Sequence, residues 1–517
     1  MTPAAVDLSI RDVLARAVQL YADDAAVLFD GRSSSWADLQ RRVFRLANAL
    51  HDRGIRPGDR LGIGQGNGPE IIEAVLATAL LGAVMVPLST RLSRDELRYL
   101  VSDAGLRMAF VEPGIDLDGA LAGEQVVHTR CAAYDAFVAE GADAEPAELE
   151  RADMPALQLY TSGTTGRPKG AVLTQRALVQ NGLTTLLSQG LSHGDVFLSA
   201  TPLAHAVSCT RIVALAVDGI THAILPRFTP AAFFAAVASY GVTTTVLVPT
   251  MLADILDDPG LGDADLSTLR LLVYGAAPCP EALIRRALAT LPCGFLHGYG
   301  QTEACPAVTQ LTPDEHRWFA ADSAQSGRLG SIGRPVPGVR IRVADDAGNE
   351  AAPGTPGELQ IRSTKTMVGY WKRDDESADA LRDGWLRTGD VAVQDEGGYL
   401  FLVDRKKDML ISGGLNVYPS EIERVLREVA GVRDIAVVGA PDERWGEAPV
   451  AFFVPADGHA GTHLVDAMAR HCRAALAGYK QPREFVAVDE LPRNATGKVL
   501  KQELRRRVAE RPAAANA

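Results

Sequence analysis

The chain has 517 residues, of which 47% are hydrophobic and 22% are charged, and this composition predicts a folded protein with one large and one smaller domain. Its formal net charge is −12, from 52 basic and 64 acidic residues, which argues against a nucleic-acid partner because phosphate-backbone binders carry a basic surplus. Six cysteines occur without a C-x-x-C pair, so we expect reduced thiols in a cytoplasmic protein rather than a disulfide framework or a zinc site.

Neither export nor a transmembrane segment is predicted. Asp7, Arg11 and Asp12 lie where a signal peptide would need an apolar core. Two uncharged stretches, 74–90 and 231–253, contain Pro87 and Gly241 respectively, whereas a spanning helix needs about 20 uninterrupted apolar residues. We expect both stretches to be buried elements of a folded core.

Up to about residue 403, helical patterns alternate with short apolar runs. Examples of the helical patterns are WADLQRRVFRLANALHDRG from residue 36 and EIIEAVLATALLG from 70. Examples of the apolar runs are RLGIGQ from 60 and AVMVPL from 83. Helices that alternate with continuous apolar strands are typical of parallel sheets covered by helices. The predicted fold class is therefore α/β, with helix-covered sheets in a large N-terminal domain.

The pattern changes near Gly397, where a smaller α+β domain is predicted. GGYLFLVDRKKDMLISGG reads as strand, charged turn and strand, and PSEIERVLREVAG from residue 419 contains Ser420 and Glu423 in a Ser-x-x-Glu helix start. Strands at VRDIAVVGAPD and REFVAVD flank a helix at LVDAMARHCRAALAG. We expect domains at 1–403 and 409–510, a hinge at 404–408, and a flexible tail at 511–517.

A glycine- and hydroxyl-rich loop follows the apolar run ALQLY. The segment YTSGTTGRPKG, residues 160–170, combines backbone flexibility, hydroxyl donors and the cation Lys169, which are the features that cradle a polyphosphate. It is not a Walker A loop, because Lys169 is followed by Gly170 rather than by Ser or Thr.

This loop resembles the signature of the adenylate-forming superfamily, which contains acyl-CoA synthetases, aryl-CoA ligases, beetle luciferases and peptide-synthetase adenylation domains. The family's other motifs follow in order over nearly the whole chain, as YGAAP at 274–278, GYGQTEA at 298–304, GWLRTGD at 384–390, DRKKD at 404–408, SGGLN at 412–416 and NATGK at 494–498. The chain is most similar to fatty- or aryl-acid:CoA ligases. The resemblance implies two half-reactions: a carboxylate attacks the α-phosphorus of ATP to give acyl-AMP and pyrophosphate, and coenzyme A then displaces AMP. ATP, Mg²⁺ and coenzyme A are the implied cofactors.

The resemblance also implies catalytic residues. Lys498 matches the adenylation lysine, which contacts the carboxylate and the α-phosphate, and positive charge suits an attack on a polyanion. Glu303, after Thr302, matches the magnesium-binding glutamate, and Mg²⁺ suits one carboxylate plus substrate phosphates. His205 matches an aromatic residue that gates the acyl pocket. The catalytic candidates are therefore Lys498, Glu303, Thr302 and His205.

The nucleotide-binding candidates implied by the same motifs include an adenine-packing aromatic, Tyr299, a ribose carboxylate, Asp390, and a ribose or phosphate contact, Arg405. The full implied ATP/AMP set is Thr161, Ser162, Gly163, Thr164, Thr165, Lys169, Gly275, Ala276, Ala277, Pro278, Gly298, Tyr299, Gly300, Thr302, Asp390, Arg405 and Lys498. Lys407 occupies the family's hinge position. Gly413 and Gly414 match the pantetheine channel, and Trp445 matches an aromatic near the coenzyme A nucleotide.

The acyl pocket is implied to border residues 201–208 and to include Ala204, His205, Ser208 and Ala277. Relatives that activate amino acids need an acid after the histidine to pair the substrate ammonium, and AVSCT at 206–210 contains none. Fatty, cyclic and aromatic acids all remain open.

Other functions are consistent with the same motifs. An acyl-AMP ligase that loads a phosphopantetheinyl carrier protein is the nearest alternative, so a carrier protein is a second candidate partner beside the small-molecule acid and coenzyme A. A nucleotide-binding protein without turnover and a luciferase-like oxygenase are more distant alternatives. The oligomeric state is not predicted.

Overall fold

The computed structural model describes most of the chain. The described residues are 8–117, 119–147, 149, 151–161, 167–412, 415–442, 445–456, 462–493 and 499–510. They divide into two compact units: the first comprises Met1–Ile341 and Gln360–Arg387, and the second comprises Arg342–Leu359 and Thr388–Ala517.

Helices and strands alternate along the chain. The helices are α1 Ile10–Tyr21, α2 Trp36–Asp52, α3 Pro69–Leu80, α4 Arg94–Ala104, α5 Ala132–Glu140, α6 Gln175–Gln189, α7 Ala206–Ala216, α8 Pro230–Tyr240, α9 Pro249–Asp257, α10 Glu281–Thr290, α11 Pro313–Ala321, α12 Asp374–Ala380, α13 Pro419–Arg427, α14 Thr462–Ala475 and α15 Lys501–Ala509. The strands are β1 Ala25–Phe29, β2 Arg32–Ser35, β3 Arg60–Gly64, β4 Val84–Pro87, β5 Leu106–Val111, β6 Val126–His128, β7 Pro155–Thr161, β8 Lys169–Thr174, β9 Val196–Ser199, β10 Thr221–Ile224, β11 Thr244–Leu247, β12 Leu271–Gly275, β13 Gly294–Tyr299, β14 Thr309–Leu311, β15 Arg334–Pro335, β16 Arg340–Ala344, β17 Gly357–Arg362, β18 Gly369–Tyr370, β19 Leu381–Arg382, β20 Trp385–Gln394, β21 Leu400–Arg405, β22 Leu410–Ser412, β23 Leu415–Val417, β24 Val432–Asp442, β25 Gly446–Pro455 and β26 Glu484–Ala487.

The first unit is built on two large sheets. One has nine strands in the order β15-β14-β13-β12-β11-β9-β10-β1-β2, and the other has seven in the order β18-β8-β7-β4-β3-β5-β6. Neighbours from β13 through β1 in the first sheet, and β4, β3, β5 and β6 in the second, pair in parallel. Antiparallel strands lie at the edges. The predicted α/β class is confirmed.

Helix α3 and strand β4 show why the chain contains long uncharged stretches. Residues 71–80 of α3 and all four residues of β4 are buried. Pro69 stands in the first turn of the helix, where its missing N–H costs nothing. Among the residues that the structure describes, no helix is long and apolar enough to span a bilayer.

The second unit carries its own sheet and core. Strands β23-β22-β25-β24 are adjacent in that order, and β26 pairs with β25 in parallel. An apolar cluster joins this sheet to α13 and α14, and includes Ile422, Leu426, Val437, Phe453 and Met468. The predicted helix at residue 419 and the strands at 432–442 and 483–489 are present in this α+β unit.

One detail of that helix was predicted wrongly. Ser420 and Glu423 do not form a capping pair: the residue that precedes the first turn is Tyr418, and Pro419 opens the helix. Proline already has the helical φ and lacks an N–H, so the helix begins at Pro419, two residues earlier than the capping pattern indicates. Glu423 accepts a hydrogen bond from the Val437 N–H instead.

The division into units also differs from the expected boundary at residue 403. Antiparallel pairing places Asp390 opposite Arg405 and Val391 opposite Asp404, so the expected start of the hinge is joined to residues 390–394 by a strand ladder. The second unit therefore comprises Arg342–Leu359 as well as the chain from Thr388 onwards. The hinge at 404–408 stays a prediction.

Candidate active site

Glu303 lies at the centre of a hydrogen-bonded group in the first unit. It is part of a short 3-10 turn, Thr302–Ala304, just after β13, and is 9% exposed. Its Oε1 accepts a hydrogen bond from the Thr161 hydroxyl at 3.2 Å and another from the Tyr370 hydroxyl at 2.9 Å. The end of β7 and the phosphate-loop motif are thereby joined to the predicted magnesium ligand.

Tyr370 is a site residue that the sequence did not reveal. It lies on β18, which pairs with β8 so that Tyr370 faces Ala171 in register. The Lys169 ammonium lies 5.1 Å from the centre of the Tyr370 ring and forms an ion pair with Glu376 of α12. A GY dipeptide some 67 residues after Glu303 carries no signal of this contact; only the strand pairing creates it.

Two glycines bring strands β12 and β13 together beside this group. Gly275 and Gly298 are opposite each other in register, and a Cβ on Gly275 would lie 2.1 Å from the Gly298 carbonyl oxygen. Among the described residues, a Cβ on Gly298 would meet only Val273 Cγ1, at 3.8 Å. Parallel strands that end at the same edge of a sheet form the usual position of a ligand crevice in an α/β fold.

The segments that follow these glycines are accessible. Ala276, Ala277 and Pro278 are exposed, and Ala276 has a left-handed φ of 63°. Tyr299 is half-buried, and Gly300 packs closely on the backbone of the next turn, with Ala307 N 2.9 Å from a Cβ built there. The structure thus brings the predicted adenine-side residues to one end of two neighbouring strands.

The histidine segment is held by a buried amide. Asn67 donates to the carbonyl oxygens of Thr201 and Leu225 and accepts from the Leu203 N–H, at 2.8–3.1 Å. Asn67 is a second residue that sequence reasoning missed.

His205 directly precedes α7 and is half-buried. Burial, followed by the charge of Arg91, lowers its pKa, so the imidazole is neutral at physiological pH. Ala204 precedes it, and one turn later the Ser208 hydroxyl lies 2.6 Å from the Thr201 hydroxyl. A neutral ring and small side chains suit an apolar substrate pocket.

Lys365 is a third unpredicted residue. It is 2% exposed, and its ammonium donates to Asn181 Oδ1 at 3.1 Å and to the carbonyl oxygens of Pro306 and Ala307 at 3.2 and 2.5 Å. Burial lowers its pKa to about 8. These bonds anchor the turn after Glu303, where Cys305 and Ala307 have left-handed φ values of 48° and 83°.

Two other predicted residues form an ion pair within the second unit. Asp390 is 5% exposed, and its Oδ1 lies 2.7 Å from Arg405 Nε. Arg405 also donates to the Thr388 carbonyl oxygen at 3.3 Å. The predicted ribose carboxylate is therefore held by the predicted phosphate contact.

Of the hinge and coenzyme A candidates that the structure describes, Lys407 is exposed and Trp445 is half-buried. The carbonyl oxygen of Lys407 accepts from Arg505, which also pairs with Asp408 at 2.6 Å. The Trp445 ring lies 5.3 Å from the Arg483 guanidinium. The remaining predicted site residues, Ser162, Gly163, Thr164, Thr165, Gly413, Gly414 and Lys498, lie outside the described residues.

The arrangement of sheets, phosphate-loop strands and glycine-bordered crevice defines an adenylate-forming enzyme, and comparison with protein families agrees. Residues 14–371 match the AMP-binding enzyme family, and residues 421–498 match the AMP-binding enzyme C-terminal domain. The chain belongs to the AMP-binding enzyme family.

Relatives cover nearly the whole chain. A feruloyl-CoA synthase from Amycolatopsis sp. is 40% identical over 93% of this chain and 95% of its own length. A fatty acid–acyl-carrier-protein ligase from Streptomyces coeruleorubidus is 37% identical over 93% of both chains. The solved O-succinylbenzoate coenzyme A synthetase from Bacillus subtilis, in complex with ATP and magnesium ion, has a TM-score of 0.85 and 28% identity, covering 96% of this chain and 99% of that chain.

These comparisons confirm the predictions of superfamily, of fold with a large N-terminal and a small C-terminal domain, and of an AMP-forming acid–thiol ligase. They also support the predicted cofactors ATP, Mg²⁺ and coenzyme A. The comparisons do not test the roles of individual residues.

Proposed function

We propose that this enzyme activates a fatty, cyclic or aromatic carboxylic acid as acyl-AMP and transfers the acyl group to coenzyme A. The observation that carries the proposal is the Glu303 carboxylate, held by Thr161 and Tyr370 beside the phosphate-loop strands and the glycine-bordered strand ends. Family membership supplies the reaction class.

In the first half-reaction a carboxylate oxygen of the acid attacks the α-phosphorus of ATP. A bond forms between that oxygen and phosphorus as the bond to pyrophosphate breaks. Lys498 is proposed to offset the charge of the carboxylate and the α-phosphate, because two anions must approach each other and a fixed cation lowers that cost. Lys169 and the hydroxyl-rich loop are proposed to bind the other phosphates.

Glu303 suits magnesium. Mg²⁺ prefers oxygen ligands and keeps substrate phosphates and water among them. Both hydroxyl donors bond Oε1, which leaves Oε2 without a hydrogen bond among the described residues. When bound, the ion would neutralise phosphate charge, and Thr161 and Tyr370 would orient the carboxylate that holds it.

The adenine contacts are proposed at the same strand ends of the first unit. Tyr299 and the backbone from Gly275 to Pro278 would enclose adenine, since glycine and small residues leave the edges of these strands open. Asp390 would accept the ribose hydroxyls, and Arg405, already paired with it, would fix the carboxylate's orientation.

In the second half-reaction the coenzyme A thiolate attacks the acyl carbonyl carbon and AMP leaves with its electron pair. Gly413 and Gly414 are proposed to admit the pantetheine arm, and Lys407 to allow the second unit to change position between the half-reactions. Trp445 is proposed to lie near the coenzyme A nucleotide.

A carboxylic-acid panel tests the function. Purified protein with ATP and Mg²⁺ is offered each acid, with coenzyme A and a phosphopantetheinyl carrier protein in parallel, and AMP and thioesters are measured by mass spectrometry. Acid-dependent AMP together with acyl-CoA is expected. Thioester on the carrier alone would show that the acceptor is a carrier protein, as in the name of the Streptomyces coeruleorubidus relative. Absence of AMP with every acid would contradict the proposal and favour nucleotide binding without turnover.

A further inference from the structure

The face of the nine-stranded sheet that packs on α6 and α7 contains polar groups within an apolar cluster. The cluster comprises Leu191, Phe197, Leu215, Ile220, Val246, Leu271, Val273 and Leu296. In register, Phe197 of β9 lies between His222 of β10 and Thr244 of β11, so the three side chains point to the same face. Polar groups in such a place need partners, because an unpaired buried donor costs free energy.

Arg211 of α7 reaches into this cluster. It is 6% exposed, its guanidinium lies 4.6 Å from the centre of the Phe197 ring, and Nη1 donates to Gln189 Oε1 at 2.8 Å. Among the residues that the structure describes it makes no other hydrogen bond and no ion pair, although a guanidinium has several more N–H donors. Burial lowers its pKa to about 10, so it is charged at neutral pH.

The groups beside it do not balance this charge. His222 Nε2 shares a hydrogen bond of 2.6 Å with the Ser199 hydroxyl. Burial lowers the pKa of His222 to about 3, so its imidazole is neutral. Thr244 is fully buried, and its hydroxyl has no hydrogen-bond partner within the described part of the chain. A buried cation and an unpaired hydroxyl therefore both lie next to Phe197.

Arg211 lies one helical turn beyond Ser208, a residue of the predicted acyl pocket. Ser208 and Arg211 are three residues apart on α7, which places them on the same side of the helix, about 4.5 Å apart along its axis. On the sheet, the missing side chain of Gly298 leaves Val273 of the same cluster as its nearest neighbour, at 3.8 Å from a built Cβ. The side of α7 that carries Ser208 therefore also carries Arg211, next to this apolar cluster.

We propose that Arg211 and Thr244 form the far end of the acyl pocket and bind an oxygen acceptor on the acid, at the end remote from the reacting carboxylate. This inference rests on the proposed function and narrows its substrate class to acids with a distal hydroxyl, ether, carbonyl or second carboxylate. An acid that ends in a plain hydrocarbon leaves the guanidinium donors unpaired and is therefore disfavoured. The loss is large in sites built for hydrogen bonding.

Matched acids test the inference on the full-length enzyme. Octanoate, its omega-hydroxy derivative and octanedioate form one series, and cinnamate with para-hydroxycinnamate forms another; kcat/KM is measured by pyrophosphate release. We expect at least one oxygen-bearing acid to exceed its plain partner by about tenfold or more. Comparison of octanedioate with the omega-hydroxy acid shows whether the site prefers an anionic or a neutral oxygen acceptor.

Variants of Arg211 and Thr244 test whether these residues cause the preference for oxygen-bearing acids. Arg211→Met keeps the side-chain length and should reduce the ratio between matched acids to near one. Thr244→Val is the milder variant: it removes an unpaired hydroxyl, should raise Tm, and should lower kcat/KM for the oxygen-bearing acid only. Arg60→Met is the matched control, because Arg60 is also buried, bonds the Gln158 amide oxygen at 2.7 Å and stacks on Trp371; its ratio should equal that of the wild type.

The outcomes are distinct. The inference would be overturned if plain acids had the same kcat/KM as their oxygen-bearing partners and Thr244→Val left the ratio of the two values unchanged. The ligase function would stand in that case. Equal loss of the ratio in Arg60→Met and Arg211→Met would also overturn it. No pyrophosphate from any acid would overturn the proposed function and this inference with it.

Discussion

Glu303 is held by hydroxyl groups from two separate parts of the chain. Thr161 ends β7, and Tyr370 lies on β18, yet both donate to the same carboxylate oxygen. Two donors on one oxygen fix the carboxylate plane and leave the second oxygen directed elsewhere. We infer that Tyr370 acts as a positioning residue for the magnesium ligand.

Tyr370→Phe should lower the rate of adenylate formation by about tenfold and raise the Mg²⁺ concentration needed for half-maximal rate, because one hydrogen bond to a charged group is lost. Pyrophosphate exchange at varied Mg²⁺ measures both. Tyr134→Phe is the matched control, since the Tyr134 hydroxyl donates to Glu73 at 2.9 Å in the core. Equal Mg²⁺ dependence in wild type and Tyr370→Phe would contradict the role.

Lys365 meets three oxygen acceptors, which match the three donors of an ammonium group. Desolvation opposes that charge and lowers the pKa from 10.5 to about 8. Between these values the unfolded chain binds more protons than the folded protein, so this group's contribution to stability rises as pH increases from about 8 towards 10.5.

Lys365→Met should therefore be destabilising, and its deficit relative to wild type should grow above pH 8 by about 1 kcal/mol per pH unit. Thermal unfolding of both proteins across this range measures the difference, which cancels the titration of all other groups. A difference in Tm that stays constant with pH would show that Lys365 has an unperturbed pKa.

At the scale of elements, the two motif glycines have different physical reasons. Gly275 permits β12 to approach the Gly298 carbonyl, whereas Gly298 leaves open space above Val273. Both glycines belong to motifs that the sequence identified. The motifs alone do not show which glycine is needed because a Cβ would clash and which one has space around it.

Gly275→Ala should destabilise the first unit by about 1–3 kcal/mol or prevent folding, because its Cβ would overlap backbone. Gly298→Ala should fold with a Tm near that of wild type, because a Cβ there makes only an ordinary contact with Val273 within the described part of the chain. Expression and Tm compare the pair directly. A Gly298→Ala protein that is less stable than Gly275→Ala would contradict the assignment.

The spacing of apolar residues predicted most elements, including α2, α3, β3 and β4. In these elements the buried residues are mostly apolar, so the local pattern is enough to identify them. The capping prediction at Ser420 failed where a neighbouring proline decides the first turn. Tyr370, Lys365 and Arg211 were missed for a different reason. Their partners are at least 22 residues away in sequence, and burial of a lysine or an arginine has no local pattern.

At the scale of the whole molecule, the motifs are shared between two units. Glu303 and the phosphate-loop strands belong to the first, and the Asp390–Arg405 pair belongs to the second. The sequence gives these motifs in order, but the domain boundary expected at residue 403 falls within the hairpin that joins residues 390–394 to residues 400–405.

Lys498→Ala should abolish acyl-AMP formation, by more than about a hundredfold, and leave thioester formation from supplied acyl-AMP largely intact, because its charge is needed only when two anions approach. Single-turnover assays of each half-reaction measure the two effects separately. Equal loss in both half-reactions would contradict this division of labour.

The central claim is that the acid attacks the α-phosphorus of ATP. An accepted acid labelled with a heavy oxygen isotope in its carboxylate, incubated with ATP, Mg²⁺ and coenzyme A, tests it directly when the AMP is analysed by mass spectrometry. We predict that AMP carries one labelled oxygen and that pyrophosphate carries none. Unlabelled AMP, or ADP as the product, would contradict the account.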